Sequence, residues 1–85
     1  MSMISGMQIR SARAALRWTI EELAEKSGLG LRTIKRFEAV DGVPPSRTQT
    51  LIEIKVAFEA AGIEFIGTPD DGPGIRVRLR KLDSK

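Results

Sequence analysis

The chain has 85 residues, a formal net charge of +3, 41% hydrophobic and 29% charged residues, which suits one small folded domain and leaves no room for a second. It contains no Cys and no His, so the usual zinc ligands, a thiol nucleophile, an imidazole-based triad and a disulfide framework are excluded, and catalysis is not expected. The first ten residues, MSMISGMQIR, hold no continuous apolar segment of the leader type, and no stretch reaches the roughly 18 apolar residues of a membrane span; the expectation is a soluble cytoplasmic protein without a cofactor, a metal or a membrane partner.

Taken in chain order, Ser5 with Gln8 three residues later forms a capping-box pattern, and Met7, Ile9, Ala12 and Leu16 then supply the apolar face of a first helix ending near Leu16. Thr19 with Glu22 repeats the pattern, with Trp18 before the cap and Leu23 at the fourth helical position as a hydrophobic staple. This second helix runs to about Lys26; Gly28 suits the left-handed position that ends it, and Leu29 returns to the core. A short third helix starts near Leu31, with Gly30 as cap, and ends near Glu38 or Ala39. The segment VDGVPPS breaks the pattern. Ser46 and Gln49 then offer a third capping box for a helix through Leu51, Ile54, Val56 and Phe58 that stops at Gly62.

Beyond Gly62 the period changes from 3.6 to 2. Residues 63–66 and, more strictly, residues 75–80 read as strands, and TPDDGPG between them reads as loop, with DGPG as its turn. The fold class predicted is therefore mainly α: four helices over residues 5–61, followed by a C-terminal β-hairpin over residues 62–82. Ile75, Val77 and Leu79 should be buried while Arg76, Arg78 and Arg80 point outward, adding general attraction to DNA or an acidic partner, or simply solubility. One hairpin is marginal in water and must pack on the fourth helix or on another chain. The fourth helix carries apolar residues on more than one face, which points to a homodimer built from hairpins and fourth helices.

Charge is unevenly placed. Residues 75–85 sum to +4, which leaves −1 for residues 1–74, yet residues 30–36 carry three basic side chains and no acid. The second and third helices lie in LAEKSGLGLRTIKRFE, joined by about three residues including Gly, which is a helix-turn-helix arrangement. Leu23, Ala24, Leu29, Ile34 and Phe37 fall at spacings that give both helices one core, and this leaves Leu31, Arg32, Lys35 and Arg36 facing outward. A short helix with basic side chains outward fits a DNA major groove, where Arg reads guanine and Lys or Arg meets phosphate. A merely solvated basic face is the plainer alternative, and it is the better description of the acidic Glu21, Glu22 and Glu25. Trp18 and Phe37 read as core rather than a stacking platform, Gly28 and Gly30 as caps rather than a phosphate loop, and Asp70 and Asp71 as solvated loop acids.

The pattern RSARAALRWTIEELAEKSGLGLRTIKRFEA, continuing through VDGVPP, resembles the phage-repressor-like (Xre/Cro) helix-turn-helix family over residues 6–61. The resemblance implies a DNA-binding regulator of transcription, usually dimeric, acting at a palindromic double-stranded operator. It puts base-reading positions at Leu31, Arg32 and Arg36, with Thr33 near the backbone, a phosphate contact at Arg47, and a salt bridge between Arg13 and Glu38. The chain departs from the family's pattern at Ile20, where Gln is usual, and at Arg17 and Val40, where Gly is common; Arg17 is a further candidate phosphate contact. The alternative reading is a protein-interaction module, such as an antitoxin or adaptor, whose hairpin binds a partner chain.

Overall fold

The computed structural model describes residues 3–78. They form α1 (Gly6–Leu16), α2 (Ile20–Ser27), α3 (Leu31–Glu38), α4 (Thr48–Ala60), β1 (Ile63–Thr68) and β2 (Asp71–Val77). The fold is mainly α with a two-stranded antiparallel hairpin at its C-terminal end. Among the described residues no helix is long and apolar enough to cross a membrane.

Two helix starts follow the sequence signals. The Gln8 backbone N–H donates to Ser5 Oγ at 3.1 Å while Gln8 Oε1 accepts from the Ser5 N–H at 2.9 Å; Glu22 and Thr19 make the same reciprocal pair at 3.0 and 2.7 Å. Each pair satisfies two backbone donors that a helix end otherwise leaves open. Gly28, at φ 76°, ends α2 with its N–H on Ala24 O. The third box does not form: α4 starts at Thr48 with Arg47 as its N-cap, so Gln49 is its second residue rather than its third. Ser46 instead donates to Arg47 O, and Gln49 Nε2 to Glu53 Oε2.

The core is Ile4, Ile9, Ala12, Leu23, Ile34, Phe37, Leu51, Ile54, Phe58 and Ile63, each at most 3% exposed. Trp18 is only half-buried; it stacks on Phe58 with 5.5 Å between ring centroids, and Lys26 Nζ lies 5.2 Å from the indole centroid. Met7, expected on the inner face of α1, is exposed, and the polar Gln8 is buried in its stead. Gln8 is tolerated there because its amide is fully engaged. Besides accepting from Ser5, it donates through Nε2 to Gly74 O at 2.9 Å and Ile66 O at 3.2 Å, which ties the hairpin to the start of α1.

In the hairpin Ile63 faces Val77, Phe65 faces Ile75 and Thr68 faces Asp71. The connection is therefore only Pro69 and Asp70, and the DGPG expected as a turn lies inside β2. A bulge absorbs the remainder: between Ile66 and Thr68 the register shifts, so that Gly67, at φ 75°, opposes both Gly72 and Pro73. Such a bulge is also where a strand tolerates proline. Phe65 meets Phe58 edge-on at 5.8 Å and Ile75 is half-buried, but Val77 is 41% exposed, against expectation. The reason is its strand. α4 packs on β1 and covers Ile63, whereas β2 lies against α1, and Val77 sits at the open end of that strand. Leu79, Arg80 and the expected reach of the hairpin to residue 82 fall outside the described residues.

Candidate nucleic-acid interface

α3 exposes one arc and buries the other. At 100° per residue, positions 31, 32, 35 and 36 share less than half the circumference of the helix. Leu31, Arg32, Lys35 and Arg36 are exposed there, while Ile34, Phe37 and Glu38 on the opposite arc are buried. Gly30 and the N-terminal residues of α3 are also open to solvent.

The C-terminal half of α3 is fastened to α1 by two arginines. Arg13 forms a bidentate pair with Glu38, Nε to Oε2 at 2.8 Å and Nη2 to Oε1 at 3.0 Å, and its Nη1 donates to Trp18 O at 2.9 Å. The side chains of Arg13 and Glu38 are 25% and 7% exposed, and donating to the Glu38 carboxylate raises the guanidinium pKa above its ordinary value. Arg10, one turn earlier, donates through Nη1 to the backbone oxygens of Glu38 (2.6 Å) and Val40 (3.1 Å) and through Nη2 to Asp41 Oδ1 (2.6 Å). A cation at these carbonyls also complements the negative end of the α3 dipole. The start of α1 abuts the same loop: the Gly6 and Met7 N–H groups donate to Gly42 O and Asp41 O at 2.8 and 3.3 Å. A Cβ on Gly6 would overlap the carbonyl oxygens of Val40 and Phe37, so only glycine permits this approach. The Arg13–Glu38 pair is the one the family resemblance implies; Arg10 is a positioning residue that sequence reading missed. Its only signal there is its spacing of three from Arg13.

The remaining candidates are distributed around this helix. Thr33 is half-buried and lines, with Leu29, Arg36, Phe37, Ser46, Arg47 and Thr50, an open groove of about 350 Å³ between α3 and the start of α4. Arg36 and Arg47 thus share one groove, at a helix start with no acidic residue and no side-chain cap. The Arg47 guanidinium, nearby hydroxyls and uncapped backbone N–H groups match the needs of a phosphate oxygen. Arg17 is exposed and ends α1 at φ 59°, the left-handed position where glycine is favoured. Arg76 and Arg78 do lie on the outer face of the hairpin, but both bind Glu64 Oε1, at 3.1 and 2.7 Å, so their charge is partly neutralised. The Arg78 hydrogen bond holds the Glu64 pKa below its ordinary value.

No protein-family model matches this chain, and no curated protein matches it either.

Proposed function

We propose that the chain is a sequence-specific double-stranded DNA-binding regulator of transcription, with an Xre/Cro-type helix-turn-helix formed by α2 and α3. In this reading α3 lies in the major groove. The observation that carries it is the outward arc Leu31, Arg32, Lys35 and Arg36 on a helix whose other arc is fully packed and whose end is held by Arg10 and Arg13. A solvated surface helix needs no such fastening. A reading helix does, because base contacts require fixed side-chain geometry.

Arg32 and Arg36 take the base-reading role, with Leu31 against base edges. Lys35, Arg47 and Arg17 meet phosphates, and Thr33 faces the backbone beside Arg47. Two copies on a palindrome would read two half-sites about 34 Å apart, or a multiple of that. The protein-interaction reading rests on the apolar stripe of the second strand, where Ile75 is half-buried and Val77 exposed; it stands as the alternative, and the basic outward arc of α3 is what favours DNA.

The test is fluorescence anisotropy of the purified chain with duplex DNA from upstream of its own gene and with a scrambled duplex, from low to physiological salt. Tighter binding to the natural duplex, falling steeply with salt, supports the proposal. Equal affinity for both duplexes rejects it.

A further inference from the structure

We infer that Leu31 reads the C5 methyl group of a thymine in the DNA site, fixing a base that the arginines of α3 leave unread. The inference rests on the reading of α3 as the helix in the major groove, and it names part of the sequence that this helix selects.

The other apolar side chains of α3, Ile34 and Phe37, are completely buried, whereas Leu31 is 36% exposed and lies outside the core cluster. A single exposed leucine is ordinary on a protein surface; its place is what matters here. Leu31 opens the helix and shares the outward arc with Arg32, Lys35 and Arg36. Leu31 and Lys35, one turn apart, form one edge of that arc, and Arg32 and Arg36 form the other. The helix start is bare: its cap, Gly30, makes no side-chain hydrogen bond, and a Cβ added there would meet nothing within 4 Å. The first residues of a reading helix are the ones that reach base edges.

Chemistry then divides the arc. Arginine and lysine offer only donors, which suit guanine O6 and N7 and the phosphate oxygens. Leucine offers none. Set against a purine it would leave the N7 acceptor without a partner, and set against cytosine the N4 donor. Among the four bases thymine alone presents a methyl group to the major groove. Covering one methyl group is worth about fourfold in affinity, a preference that donors cannot supply.

The test starts from the duplex that the full chain selects out of a random library. Each thymine in it is replaced singly by deoxyuridine, which keeps every hydrogen-bonding group of the base and removes only the methyl. The natural chain should bind about fourfold more weakly when the thymine under Leu31 is replaced, whereas Leu31→Ala should bind both forms alike. At the same position 5-methylcytosine should bind more tightly than cytosine, again only with Leu31 present. Arg32→Ala should weaken binding yet keep the ratio between the thymine and deoxyuridine forms. Damage to the fold lowers both affinities together, so it leaves that ratio where it was. A selected site in which no thymine responds to the replacement, or a Leu31→Ala chain that keeps the ratio, would overturn the inference. If Arg32→Ala and Arg36→Ala still relax the selected sequence, the major-groove reading survives that result; a library that yields no preferred sequence removes both.

Discussion

The side-chain amide of Gln8 donates to the carbonyl oxygen of Gly74 at 2.9 Å, across 66 positions of sequence. The same amide caps α1 through its oxygen, so a single buried side chain both starts a helix and anchors the hairpin to it. Gln8→Glu keeps the capping oxygen but turns a second oxygen toward the carbonyls of Ile66 and Gly74. It should cost about 2–4 kcal/mol at neutral pH, the range for a buried polar group facing like partners. The introduced acid is disfavoured when charged, so its folded-state pKa rises and the loss should shrink as pH falls and the group regains a proton to donate. Urea unfolding of both chains at neutral and mildly acidic pH checks this; a loss independent of pH would contradict it.

Arg13 and Glu38 join α1 to the end of α3 in a mostly buried, bidentate pair. Removing Arg13 strands a carboxylate that is 7% exposed, so Arg13→Ala should cost about 2–4 kcal/mol, somewhat below the range for fully buried pairs because Arg13 keeps some solvent contact. The double variant with Glu38→Ala should cost less than the two single losses combined. Additive losses in thermal or urea unfolding would show that the pair is not coupled.

On the proposed interface, Arg32→Ala and Arg36→Ala should each weaken specific binding by about 1–3 kcal/mol and relax the preference for one base position, as loss of bidentate readout does. Arg47→Ala should act on every duplex alike and reduce the salt slope by about one. A binding-site selection that returns the same base profile for the wild type and both α3 variants would remove α3 as the reading helix.

Arg17 occupies a left-handed backbone position at φ 59°. Glycine reaches that conformation without the Cβ clash, so Arg17→Gly should stabilise the fold by up to about 1 kcal/mol. If Arg17 meets phosphate as proposed, the same variant binds all duplexes more weakly. Greater stability with unchanged DNA affinity would assign Arg17 no contact at all.

Ser5, Thr19 and Gly28 mark their helix ends in the sequence because capping is settled within one turn of chain, by atoms three or four residues apart. The outward arc of α3 is legible for the same reason: burying Ile34 and Phe37 leaves Leu31, Arg32, Lys35 and Arg36 no other side. Tertiary structure alone decided the exchange of Met7 for Gln8, since only the hairpin carbonyls, some sixty residues away, give a buried amide its partners. It likewise decided the role of Arg10, whose acceptors are carbonyls at the end of another helix and carry no signature in residue identity. Val77 shows the limit of alternation: a period of two says which residues share a face, but whether α4 reaches far enough to cover that face depends on where the helix lies. DGPG reads as a turn because its glycines and proline favour one, and it became part of a strand because the Gly67 bulge let pairing continue past them, which cross-strand geometry determines and local propensity does not.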